Sequence, residues 1–358
     1  MNMDAHKLII KQLKQDLIGK DAFRGVTLSY AWLANQFGHF ALSFIFTAIV
    51  YTFFEDRNSS ERIVYWIYLP SLSVWVFWFV FELVNYVVSI IKLKKSSVIE
   101  KNAKSYFYRP RRWHFLDDLF TDLLFFAQGA FAASLLYKTN TETFWICIAI
   151  SIVLLYKSIK WYSFKIYLQR ALYPFQFRLS QWTEYISVTN KDEINRFMHS
   201  SFCGTQLLVL GEDDNEKIHI SVGIGSEVSY QNKKCRYLTA MKAFECFYRT
   251  EPEDSPISEK FSWNWQEAEL LIIDDINPSH SNINEVITPD EFLQKINDLH
   301  GDRNRKCLRE KKVIWMLGNE NAGYAEQIVW QQMLVKIGVD PTNIIIINLS
   351  EKAGTQKV

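Results

Sequence analysis

Three ionisable side chains stand inside stretches that are otherwise apolar: His39, Glu82 and Asp122, with Asn35, Gln36 and Asn85 close by at helical spacing. An ionised group in hydrocarbon is costly unless it pairs or meets water, so residues of these types are expected to gather in one shared interior cluster. Two chemistries suit that cluster. One is an ion or proton path, or a gate. The other is interhelical hydrogen bonding that fixes packing, with Asp117 and Asp118 near the headgroups and paired to Arg111 or Arg112. A different pair, Asp274 and Asp275, closes the apolar run AELLIIDD, and Asn319 closes KKVIWMLGN. Adjacent carboxylates after such a run also fit a solvated strand terminus that opens the turn INPSH.

The elements that must hold the first cluster are membrane-length helices. Four stretches of low charge, near 29–53, 63–91, 115–137 and 142–162, are long enough to cross a hydrocarbon core of about 30 Å. Pro70 is expected to kink the second of them. Basic residues cluster from Lys92 to Arg112 and again at Lys157, Lys160, Lys165 and Arg170, whereas EDRNSSER and KTNTET are short and close to neutral. Positive charge stays on the cytosolic side, so both termini are expected inside. Residues 1–28 read as an amphipathic segment that lacks the apolar core of a cleavable signal. Residues 163–204 read as a juxtamembrane connector, aromatic and cationic, ended by Pro174 and followed by a small helix. The predicted organisation is thus 1–28, 29–162, 163–204 and 205–358.

The last of these segments alternates apolar runs with helical patterns. QLLVLG from 206, KIHISVGIG from 217, AELLIIDDIN from 268, KKVIWMLGN from 311 and NIIIINLS from 343 read as strands. KKCRYLTAMKAFECFYR from 233, a segment from 290 and YAEQIVWQQMLVKIG from 324 read as helices, the middle one starting at Thr288 and Pro289 with Glu291 closing a capping box. Continuous apolar strands between helices predict a mostly parallel sheet covered on both faces. The fold class expected is therefore an α-helical membrane bundle followed by an α/β domain. The five cysteines show no CxxC spacing and give no zinc or thiol-redox reading, and no basic face with interleaved aromatics suits nucleic acid.

From 205 to 350 these parts, in this order, resemble the P-loop NTPases of AAA type. The resemblance implies ATP or another nucleotide with Mg²⁺ as cofactor, Asp274 holding the metal through water, Asp275 in the place of the water-activating acid, and Asn319 as a polar sensor near the γ-phosphate. It also implies that the phosphate loop falls in KIHISVGIGSEVSYQNKK, with Gly223, Gly225 and Ser226 leading to Lys233 and Lys234. The pattern departs there. No glycine precedes either lysine directly, Cys235 stands where a hydroxyl should bind Mg²⁺, and the loop is too long. That leaves a degenerate nucleotide site, or a Rossmann-like sensor with its ligand at the strand ends.

Three functions follow as expectations. The first is a membrane-anchored effector or sensor, in which a nucleotide-like signal or a cytosolic protein partner regulates the helices through the connector. This architecture resembles the four-helix membrane effectors of bacterial phage-defence systems, placing the chain in the inner membrane as a homo-oligomer, with the lipid bilayer as a partner and no nucleic acid. The others are a membrane-bound ATPase and a non-catalytic membrane scaffold.

Overall fold

A computed structural model of the chain describes residues 30–55, 68–99, 112–137, 140–182, 186–200, 204–211, 213–249, 262–276, 287–317 and 324–349. The amphipathic segment 1–28, Arg111, the loop EDRNSSER beyond Glu55 and the sensor candidate Asn319 lie outside the described residues. The chain divides into two compact units, Met1–Ala103 with Tyr108–Tyr162, and Lys104–Phe107 with Ser163–Val358.

The first unit is built from four helices: α1 (Tyr30–Glu55), α2 (Leu69–Ile99), α3 (Arg112–Tyr137) and α4 (Thr141–Arg170). Each contains a window long and apolar enough to cross a membrane. A helix closes its backbone hydrogen bonds within itself, which a spanning segment in hydrocarbon requires. Large apolar side chains point outward: Phe37 and Phe77 are 62% exposed and Ile152 is 64% exposed. Pro70 lies in the first turn of α2, where its missing N–H breaks no intrahelical bond, so the expected kink has no cause there.

Helices α1 and α3 run in the same direction. Gln36 Nε2 donates to Asp122 Oδ1 at 2.8 Å near one end, and Tyr51 stacks on Tyr137 with ring centroids 4.8 Å apart near the other. Between these points the backbones meet at Gly129, where a Cβ would come within 2.2 Å of the Phe40 carbonyl oxygen. Helix α2 joins them through Trp78, which stacks on Phe126 at 4.5 Å, and through Trp75 Nε1, which donates to the Leu123 carbonyl at 3.2 Å. Asp117 pairs with Lys157 of α4, and Asp118 is buried.

The second unit takes in the end of α4 from Ser163 and continues through α5 (Val188–His199), β1 (Gln206–Leu210), α6 (Asp214–Ser229), β2 (Cys235–Thr239), α7 (Ala240–Tyr248), β3 (Leu270–Asp274), α8 (Pro289–Asn297), α9 (Gly301–Arg309), β4 (Lys312–Leu317), α10 (Tyr324–Lys336) and β5 (Ile344–Asn348). Among the described residues the five strands form one parallel sheet in the order β2-β3-β4-β1-β5. Alternate residues feed two cores. Leu207, Val209, Ile272, Ile314 and Ile345 pack under α5 and α6, whereas Leu208, Leu271, Ile273, Val313 and Trp315 pack under α7 to α10. The predicted capping box of α8 is present, with Thr288 and Glu291 each bonding the other's backbone N–H.

Two elements differ from expectation. Residues 217–225 are helical, because Asp213 caps α6 and Ile220, Ile224 and Val228 face the core at four-residue intervals. The segment from 233 begins as an edge strand and turns helical only at Ala240, after Thr239 accepts from the Lys242 N–H. The basic residues Arg303, Arg305 and Lys306 belong to α9.

Candidate functional site

In an open parallel sheet, ligands bind beyond the carboxyl ends of neighbouring strands whose connections leave toward opposite faces. Here that place lies between β1 and β4. From β1 the chain passes to α6 on one face, and from β4 to α10 on the other. The residues gathered at this edge are Gly211, Asp213, Asp214 and Lys217 after β1, Tyr237 on β2, and Asp274 and Asp275 at the end of β3.

Lys217 is the pivot of this group. Its side chain is 2% exposed, its Nζ lies 2.8 Å from Asp214 Oδ1, and it points to the Leu317 carbonyl at the end of β4 at 3.4 Å. Asp213 caps the helix by accepting from the Asn215 N–H at 2.8 Å. Gly211 is fitted closely, since a Cβ there would stand 3.2 Å from Leu349 Cβ.

On β3, Asp274 is buried, accepts from the Tyr237 hydroxyl, and accepts from the Asp275 N–H at 2.7 Å. Burial pushes the Asp274 carboxyl above its usual range; the two hydrogen bonds oppose this, and the charges of Asp275 and Asp214 add to it. Asp275 is raised by desolvation and by Asp214. Burial and the neighbouring Asp274 hold the Tyr237 phenol far above its ordinary value, which suits its role as the donor. Asp275 has a φ of 54°, a left-handed conformation that aspartate tolerates better than most residues.

The phosphate-loop candidates are elsewhere. Gly223, Gly225 and Ser226 lie inside α6, and the glycines allow close packing. A Cβ at Gly223 would meet Leu179 Cδ2 at 2.7 Å, and one at Gly225 would meet the Tyr173 hydroxyl at 2.7 Å. Lys233 precedes β2, and Lys234 pairs with Glu267 at 2.7 Å and lies over the Trp263 ring. Of the sequence candidates, Asp274 and Asp275 are therefore at the strand-end crevice, and the glycines and lysines are not.

What sequence reasoning missed is Gly211 with Lys217. The stretch GEDDNEKI from 211 to 218 keeps the first glycine and the lysine of GxxxxGK[ST] at the right interval after a strand and at the start of a helix. The intended signal was present, but Glu216 replaces the second glycine and Ile218 the hydroxyl. These residues do not fit an Mg-nucleotide. The helix start that should attract phosphate carries Asp213, Asp214 and Glu216, which repel it, and the lysine is held by Asp214. Burial pushes the Cys235 and Cys307 thiols up to about 11, so these two are poor nucleophiles at neutral pH.

The intramembrane candidates group partly as expected. His39 Nε2 lies 3.7 Å from Asp122 Oδ1 and 3.0 Å from Asn35 Nδ2, and its ring meets Phe126 edge-on at 4.5 Å. Glu82 is 1% exposed within the bundle, and the Asn85 side-chain nitrogen is buried. No protein-family profile and no curated protein matches this chain.

Proposed function

We propose that the chain is an integral membrane effector or sensor whose cytosolic α/β domain has a degenerate P-loop fold that regulates the helices without hydrolysing nucleotide. The observation that carries this reading is the locked lysine: Lys217 stands at P-loop spacing from Gly211, yet Asp214 and the Leu317 carbonyl occupy it and acids surround the helix start. Read from the β5 edge the sheet order is 5-1-4-3-2, unlike the 3-2-1-4-5-6 order of the Rossmann fold. The signal is then a cytosolic partner or a nucleotide-like ligand bound without Mg²⁺-dependent turnover. Four apolar helices and the basic segments after α2 and along α4 support an inner-membrane location with both termini cytosolic.

Helix α4 contributes residues to both compact units without a flexible linker, which supports mechanical coupling between signal and membrane. The experiment uses the full chain in detergent micelles, warmed with ATP, GTP and cyclic nucleotides, with and without Mg²⁺, and assayed for phosphate release. The expected result is no Mg²⁺-dependent turnover. In parallel, inducing the chain in bacterial cells is expected to collapse the membrane potential reported by a dye. Turnover that disappears in Asp275→Asn would establish the ATPase reading instead, and cells that hold their potential with the protein inserted would leave only the scaffold.

A further inference from the structure

The first unit carries an observation that the strand-end crevice does not explain. On α1, Gln36, His39, Ser43 and Thr47 follow one another at intervals of three and four residues, so they line one face of the helix, and all four are buried. Tyr51 continues the row one turn further, with Ser71 of α2 and Ser134 of α3 beside its hydroxyl. From Gln36 to Tyr51 the row climbs about 22 Å at 1.5 Å per residue, most of a hydrocarbon core of about 30 Å.

Gln36 Oε1, His39 Nδ1, Ser43 Oγ and Thr47 Oγ1 are all buried without a hydrogen-bond partner among the described residues. Burying one such group unsatisfied costs about 1–3 kcal/mol, and four in a row on one helix face is a costly arrangement for mere packing. Water molecules threaded between them would satisfy all four, since each site is polar and consecutive hydroxyls on the row are about one helical turn apart.

We propose that this row, with Asp122, His39 and the bridging waters, forms a proton-conducting path through the bundle. A proton enters at the His39–Asp122 pair, passes along hydrogen bonds past Ser43 and Thr47, and leaves near Tyr51; each donor that gives up a proton receives another from behind, so one proton crosses per relay and no other reactant is consumed. A hydrated metal ion does not fit. The α1 and α3 backbones approach at Gly129 so closely that a single methyl group would strike the Phe40 carbonyl, and the ring of Phe126 stands against His39. Protons need only a continuous chain of hydrogen bonds.

The inference rests on the reading that α1 to α4 span a bilayer, and the test separates the two. The full chain is reconstituted into liposomes, its insertion checked by flotation on a density gradient, and proton entry followed with a pH-sensitive dye while valinomycin sets a potassium diffusion potential. Flotation with proton entry and with no release of trapped carboxyfluorescein is the expected result. Asp122→Asn and the double variant Ser43→Ala with Thr47→Val should fall to the rate of empty liposomes. The double variant removes hydroxyls that bond to no described residue, so it breaks no described hydrogen bond between side chains and should still insert and float while its flux is lost. Failure to float defeats the membrane reading itself. Floating protein with the leak of empty liposomes, equal flux in the double variant, or release of carboxyfluorescein overturns the proton path and leaves the membrane reading standing.

Discussion

Gln36 and Gln206 are both fully buried, one in a membrane-length helix and one at the start of a strand, and they are treated in opposite ways. Gln206 is saturated: its amide nitrogen is shared among the carbonyls of Gly204, Leu308 and Lys311 at 3.1–3.2 Å, and its oxygen accepts from Trp315 Nε1 at 2.8 Å. Gln36 donates to Asp122, but its oxygen has no partner among the described residues. The same inversion holds around them. In the α/β unit the apolar side chains are inside and Gln206 is fully bonded, whereas in the helix unit many large apolar side chains are outside and a polar row is inside. Each arrangement suits a different surrounding solvent, water for one and hydrocarbon for the other.

The largest effect that can test this contrast lies in the water-built core. Phe292 is buried between α7, α10 and Trp315, and Phe292→Ala should cost about 3–5 kcal/mol in chemical denaturation of the α/β unit, because truncating a buried aromatic leaves a cavity. An exposed residue of the helix unit should behave as if buried. Phe77→Lys, at an outward position, should reduce membrane insertion by about 2.5–3.5 kcal/mol in a glycosylation-reporter assay, the cost of a lysine at the centre of a spanning helix. In water the same change at an exposed site would be close to neutral, so full insertion of the variant would break the comparison.

Much of this was legible in the sequence and some of it was not, for identifiable reasons. The helices of the first unit and the strands β1, β3, β4 and β5 are continuous apolar runs, and continuity is readable. Helix α6 was hidden because Ile218, Ile220, Val222 and Ile224 alternate like a strand. Only the cap at Asp213 and the recurrence of Ile220, Ile224 and Val228 reveal the helical face. Strand β2 was hidden because it is an edge strand, which tolerates Arg236 and Thr239, and because it runs directly into α7. With these two elements hidden, the P-loop spacing from Gly211 to Lys217 is hidden as well. In the helices, His39, Asn35, Gln36 and Asp122 stood out as polar in an apolar run, but Ser43 and Thr47 did not, since hydroxyl residues are ordinary in spanning helices and only burial reveals that they continue the row.

Smaller effects sharpen the picture at the strand ends and at the end of α4. Leu172, just after α4, has a φ of 58°, a conformation that a bulky side chain adopts at a cost. Leu172→Gly should therefore stabilise the α/β unit by about 0.5–1 kcal/mol in equilibrium unfolding; destabilisation would mean that the side chain holds the connector in place. For Asp274 the effect is a change of slope. Burial holds its folded pKa above the ordinary carboxylate value, so the folded state holds this proton more tightly than the unfolded chain. The stability it supplies is present below the unfolded pKa and is lost as pH rises through the folded one. Asp274→Asn should flatten that acid-side decline in thermal melts of the full chain between pH 4 and neutrality. An unchanged decline would assign it to other groups.

The central claim is that hydrocarbon is the solvent around α1 to α4, and fractionation of cell membranes in alkaline carbonate tests it most directly. The chain should remain in the pellet after high-speed centrifugation, held by apolar faces that carbonate cannot strip. Recovery in the supernatant would contradict it.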